Sequence, residues 1–205
     1  MMVCMRIAVA NDKGGVGKTT TAVMLASLLS GCGRTVLADG DEKAASALEW
    51  AAAGPGLPCE VVPLAGLPKL DLSDVAYLVI DTRAGEDADD LLTLARRVDR
   101  LIVPSKPDTL SLRVLVRTLA PLRQAGIGHY RVLLTDVPPA PSTNGHEARA
   151  MLWGLGVPVF AQGIRRAAAF DRAALAGVPV GLVRGDSRAR LASMDYELVM
   201  QELLA

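Results

Sequence analysis

Seven aromatic residues, two histidines and three cysteines in a chain of 205 leave few options for several kinds of chemistry. Cys4, Cys32 and Cys59 are odd in number and scattered, so neither a disulfide framework nor a metal cluster is indicated, which fits a reducing cytosol. No two of them share a short segment, which also argues against an iron–sulfur carrier. His129 and His146 stand alone, with no carboxylate or cysteine at ligand spacing, and read as structural or exposed residues. Net charge is absent too: 22 basic side chains balance 22 acidic ones, so bulk electrostatics announces no polyanionic partner. Long apolar runs are missing. Those present have strand length or are broken by charges, so no membrane span is predicted. Residues 1–6 lead directly into a strand-like run without the apolar segment and cleavage site of a signal peptide.

What is present is a chain 51% hydrophobic, long enough to bury one sizeable core, and residues 1–205 are expected to form a single domain. Charge is distributed unevenly along it. Residues 1–100 carry 10 basic against 14 acidic side chains, and residues 101–205 carry 12 against 8, so the second half is basic. Short apolar runs at residues 5–10, 34–38, 75–80, 100–103 and 130–134 each precede a helical pattern. A weaker run at 59–64 contains Pro63, which suits an edge or an end. This alternation predicts an α/β fold: a mainly parallel, twisted sheet flanked by helices on both faces. In such sheets ligands sit at the carboxyl ends of the strands.

The segment after the first strand is the most informative. Lys13, Gly14, Gly15, Val16, Gly17, Lys18, Thr19 and Thr20 form a glycine-rich turn leading into a helix expected over residues 18–30. Glycines let successive backbone N–H groups face one concavity, and the helix adds its positive end, which makes a phosphate cradle. Lys18 would reach the β- and γ-phosphates and Thr19 would place a hydroxyl on Mg²⁺. Two acids, Asp39 and Asp41, come directly after the second strand, and Asp81 closes the run Tyr77-Leu78-Val79-Ile80-Asp81.

The run KGGVGKTT resembles the deviant Walker A box of the ParA/MinD (Soj-like) ATPases, a P-loop NTPase fold, and Asp81 has the form of a Walker B aspartate. The resemblance implies a slow, partner-stimulated ATPase using ATP and Mg²⁺. It implies that Lys13 reaches the nucleotide of the opposite subunit, which ties hydrolysis to formation of a homodimer. It assigns orientation of the attacking water to Asp41, and places Asp39 and Asp81 at the Mg²⁺ shell. Two departures bear on rate: Asp41 is followed by Glu42-Lys43 instead of Pro-Gln, and Asp81 by Thr82-Arg83. Arg83 reads as a surface residue. The stretch Pro104-Ser105-Lys106-Pro107-Asp108-Thr109-Leu110 resembles the family's P-x-x-P-x-x-L segment, where Asp108 or Thr109 can cap the next helix and Lys106 is a dimer contact.

Arg165, Arg166, Arg172, Arg184, Arg188 and Arg190 cluster in the last third, opposed within that stretch by Asp171 and Asp186. Guanidinium groups of this density bind phosphate oxygens without sequence preference, and no aromatic residues interleave to stack bases. Solvated helix faces would explain them equally well. The resemblance favours nonspecific duplex DNA, bound by an ATP dimer, with a ParB-like centromere-binding adaptor as stimulating partner. The expected function is plasmid or chromosome partition, in the cytoplasm on the nucleoid, without an N-terminal helix-turn-helix arm. The tail 191–204 has helical apolar spacing and only acidic charges, which argues for packing on the core and against a membrane anchor. Two rivals remain: a ParA-like ATPase positioning another cargo, and a P-loop ligase of dethiobiotin synthetase type.

Overall fold

The computed structural model describes residues 4–85 and 88–205; residues 1–3, part of the start read as carrying no leader, lie outside it. Six parallel strands form one sheet: β1 (Met5–Val9), β2 (Thr35–Asp39), β3 (Glu60–Pro63), β4 (Tyr77–Asp81), β5 (Arg100–Ser105) and β6 (Tyr130–Leu134), in the order β3-β2-β4-β1-β5-β6. The weak run is the edge strand β3, and Pro63 is its last residue, where its missing N–H costs the ladder least.

Strand periodicity divides the core in two. Ile7, Val9, Leu37, Val79, Ile102 and Leu133 face one side, where they meet α1 (Lys18–Leu29), α2 (Ser46–Ala52), α6 (Ala169–Ala176) and α7 (Ser187–Leu204). Ala8, Val36, Ala38, Leu78, Ile80, Leu101, Val103 and Val132 face the other. There they meet α3 (Ala88–Ala95), α4 (Thr109–Gln124) and α5 (Asn144–Gly154). Near-continuous apolar strands are what a sheet covered on both faces requires.

Helix α1 is apolar almost all round, and Thr21 through Ser27 are buried. The sheet covers one side and α7 another, where the Thr21 hydroxyl meets Tyr196 Oη at 3.0 Å. Emptying such a position, as in Leu25→Ala, costs about 2–5 kcal/mol. The tail does pack on the core: Ala192, Tyr196, Val199 and Leu203 are buried. Its helix starts at Ser187, earlier than the apolar spacing indicated, because Asp186 caps it by accepting the Arg188 amide at 2.9 Å.

The sheet register places the site. Val9 and Asp39 both stand opposite Asp81, so the ends of β1, β2 and β4 lie level. Gly40 makes this close: a Cβ there would lie 2.7 Å from the Asp81 carbonyl oxygen, to which the Gly40 amide donates at 2.9 Å.

Candidate functional site

The loop after β1 is pinned by side chains on other elements. Asn11, buried, donates to the Pro104 carbonyl at 2.7 Å and accepts the Lys13 amide at 3.0 Å. Thr135, at the end of β6, donates to the Val16 carbonyl at 2.8 Å. Gly15 and Gly17 adopt φ of +68° and +85°, the left-handed region that side-chain-bearing residues avoid. Among the described residues no side chain caps α1 at Gly17, and the positive end of the helix faces the concavity. Lys18 is buried, and its Nζ donates to the Lys13 carbonyl at 3.2 Å across the concavity.

The acids differ sharply. Asp81 is 1% exposed, and among the described residues no hydrogen bond of normal geometry closes on either carboxylate oxygen. Burial pushes its carboxyl up to about 7; the Thr19 hydroxyl and Lys18 partly offset this, while the charges of Asp39 and Asp41 add to it. A buried carboxylate with orphaned oxygens beside a phosphate cradle is what a divalent cation would complete, so the residues present fit Mg²⁺. Asp39, equally buried, is fully occupied. Its Oδ1 accepts the Asp41 amide at 3.0 Å, and its Oδ2 accepts the Ala47 and Leu48 amides at 2.9 and 3.1 Å. Asp39, which the resemblance puts near the Mg²⁺ shell, holds the first turn of α2 in this structure. Asp41 turns its own loop: Oδ1 accepts the amides of Lys43 and Ala44 at 3.2 and 3.0 Å. This turn stands where the expected proline is missing.

Lys13 lies along its own subunit. Its Nζ donates to Ser111 Oγ at 2.6 Å and sits 4.0 Å from Asp108 Oδ1. Asp108 caps α4 through the Ser111 amide at 2.9 Å, as expected from the sequence. Arg83 is exposed at the rim. Lys106, expected as a dimer contact, pairs with Asp136 at 3.4 Å.

A cavity of about 430 Å³ opens beside the loop, lined by Gly15, Gly17, Thr20, Ile164, Phe170 and Asp136 among others. It continues from the phosphate cradle and has the mixed apolar and polar lining that a nucleoside needs. Asp136 reaches it with φ of +52°, a strained conformation for a residue other than glycine.

The six arginines are not one patch. Arg165 makes a two-pronged ion pair with Asp195, both contacts at 2.7 Å, and Asp195 is 2% exposed. Arg166 pairs with Asp136 at 2.8 Å, and Arg172 with Asp186. Arg184, Arg188 and Arg190 are exposed, with no ion-pair partner among the described residues. Asn11, Thr135, Asp136 and Asp195 went unassigned in the sequence. Asp195 had a usable signal, since it shares a helix face with Ala192 and Val199, where an acid must be paired. No helix among the described residues is long and apolar enough to cross a membrane.

Comparison with known proteins agrees with this geometry. Residues 7–180 match the family described as the CobQ/CobB/MinD/ParA nucleotide binding domain. The Maintenance of carboxysome distribution protein A of Gloeobacter kilaueensis is 38% identical over 203 residues, covering 96% of this chain and 93% of that protein. Among solved structures, the MinC:MinD cell division complex of Aquifex aeolicus superposes with a TM-score of 0.77 at 15% identity, over 98% of this chain and 96% of that one. An ATP complex of a Cyanothece McdA variant gives 0.73 at 19% identity, over 98% and 96%. With the glycine-rich cradle, the lysine pair and the orphaned acid at the carboxyl ends of the central strands, the chain belongs to the CobQ/CobB/MinD/ParA nucleotide binding domain family, as a ParA/MinD-type ATPase that uses ATP and Mg²⁺.

Proposed function

We propose that this chain, acting as one domain, is a positioning ATPase that dimerises on ATP, holds nonspecific duplex DNA in that state, and releases it after hydrolysis. Its cargo in this reading is a carboxysome-like body carried by an adaptor protein, in place of the plasmid or chromosome expected from the sequence. The observation that carries this is the 38% identity to a carboxysome distribution protein across 96% of the chain.

Each residue of the site has its own part. The N–H groups of residues 14–20 and the Lys18 ammonium bind and orient the β- and γ-phosphates. Thr19 and Asp81 would hold Mg²⁺, which when bound neutralises phosphate oxygens. Asp41, with Oδ1 spent on its own turn, directs Oδ2 to a water. Asp39 fixes the level of that turn through α2. Lys13 must leave Ser111 and Asp108 to reach the partner's nucleotide. It gives up one hydrogen bond and a half-exposed ion pair, about 1–2 kcal/mol, small against the pull of a triphosphate.

Arg184, Arg188 and Arg190 remain to meet DNA, three of the six arginines first considered. Binding of a short duplex, measured with ATP, with ADP and without nucleotide across a salt series, tests the reading. Binding is expected with ATP alone, with a log–log salt slope of about −3 per protomer. Binding indifferent to ATP, or none at low salt, ends the DNA reading. Deleting the gene and imaging the host separates the cargoes: clumped bodies support the proposal, and plasmid loss with evenly spaced bodies refutes it.

A further inference from the structure

Among the described residues, Ala45 and Asp136 are the two other than glycine with positive φ, and both stand in segments that follow strands at the site end of the sheet. The neighbours of Asp136 show how it is held. Thr135 donates its amide to the Ser105 carbonyl at 2.9 Å and its hydroxyl to the Val16 carbonyl at 2.8 Å. Val137 donates to the Ile164 carbonyl at 2.9 Å and accepts the Arg166 amide at 2.8 Å. With both neighbours fixed, residue 136 must close the bend at φ +52°, where glycine would rest without strain. An aspartate kept in such a position beside a ligand cavity points to a use for its side chain.

The carboxylate is also aimed. Arg166 grips it with Nε on Oδ1 at 2.8 Å and Nη2 on Oδ2 at 3.3 Å, and Lys106 Nζ stands 3.4 Å from Oδ2. Lys106 follows β5 and Arg166 lies between α5 and α6, so two separate segments fix the carboxylate. A carboxylate oxygen has two acceptor positions, and Oδ1, with one bond, keeps the other. Thr135 and Arg165, which border the same cavity, are already engaged with the Val16 carbonyl and Asp195. Ile164 and Phe170 supply apolar surface around it.

Strand β6 is two places from β1 in the sheet, about 10 Å away at the usual spacing. The phosphates belong to the loop after β1, so a side chain at that remove meets the far end of the nucleotide. Adenine presents a 6-amino donor there, where guanine and hypoxanthine present a 6-carbonyl acceptor. A carboxylate can only accept, which suits the amino group and opposes the carbonyl.

We propose that Asp136 selects the base: its Oδ1 accepts a hydrogen bond from the 6-amino group of adenine, with Lys106 and Arg166 as positioning residues. The inference rests on ATP being the nucleotide and is independent of the DNA and cargo readings.

Diphosphates test this without hydrolysis. ADP, IDP, which has a carbonyl in place of the 6-amino group, and 2′-deoxy-ADP are titrated with Mg²⁺ by calorimetry into the unaltered protein, Asp136→Gly and Asp136→Asn. The unaltered protein should bind ADP about 10–100-fold more tightly than IDP, the range for a hydrogen bond to a charged group, and 2′-deoxy-ADP nearly as well as ADP. Asp136→Gly, which suits the positive φ and removes the acceptor, should reduce the preference to about threefold or less. Asp136→Asn, whose amide can donate to a 6-carbonyl, should bring ADP and IDP close to equal, and it decides the matter if the glycine variant does not fold. A residue that only ties loops together would change the affinity for all three nucleotides by one factor. An ADP-to-IDP ratio left unchanged by the substitutions therefore overturns the proposal, as does equal binding of ADP and IDP by the unaltered protein. If the substitutions instead remove a preference for ADP over 2′-deoxy-ADP, the carboxylate holds the ribose and the base reading is overturned. If the unaltered protein binds none of the three, the proposal falls with the nucleotide site itself.

Discussion

Asp39 and Asp81 end neighbouring strands at the same register and are both buried, yet one is saturated by backbone amides and the other receives none among the described residues. Three backbone amides converge on Asp39, and none reaches Asp81. The difference lies in the path of the chain beyond each strand. After Asp39 it turns through Gly40 and presents the start of α2. After Asp81 it passes Thr82, whose hydroxyl looks back to the Val9 carbonyl at 3.1 Å. Burial makes an acid expensive; the supply of N–H groups decides whether it becomes structural or stays open for a cation.

The largest effect should come from removing the open acid. Asp81→Asn is expected to lower Mg²⁺-dependent ATP hydrolysis by about a thousandfold in single-turnover assays, a loss on the scale of one charge-stabilising contact. An unchanged rate would mean that the orphaned carboxylate is not where the metal acts.

The same acid sets a pH dependence in the metal-free protein. Its folded value of about 7 lies above the ordinary 3.8, so its stabilising contribution is complete below the lower value and disappears as pH rises through the upper. Stability without Mg²⁺ should therefore fall by up to about 4 kcal/mol from this group between those limits. Denaturant titrations should show the slope flattened in Asp81→Asn and by saturating Mg²⁺.

The saturated acid, Asp39, is tested by its hydrogen bonds. Asp39→Ala leaves three amides without their acceptor and should cost about 2–3 kcal/mol of stability, with Asn recovering part of it. If Asp39→Ala instead spared stability and abolished Mg²⁺ binding, the two acids would have exchanged roles.

Gly40→Ala should have the smallest effect. Its Cβ would press on the Asp81 carbonyl, and relief by movement of the strand ends should cost about 1–2 kcal/mol, with kcat lowered more than KM.

The first strand, the cradle and α1 were legible because each is local: an apolar run, glycines where φ must be positive, then helical spacing. Asp81 was legible as the acid at the end of a strand. The use of Asp39 was not, since it depends on where α2 begins in space. Nor were the ion pairs that engage Arg165 and Arg166. Their acids lie 30 residues away in the chain, on opposite sides of it. Spacing along a sequence finds periodic faces; it does not find a partner that only the sheet's packing supplies.

Helix α1 carries the phosphate cradle at its tip and is enclosed along its length by sheet and C-terminal helix. In the language of hydrogen exchange, its interior amides should open only when the whole molecule unfolds, making it the slowest-exchanging segment. A nucleotide therefore docks on the end of the part that breathes least, and its arrival and departure can be felt elsewhere without the cradle itself ever coming apart.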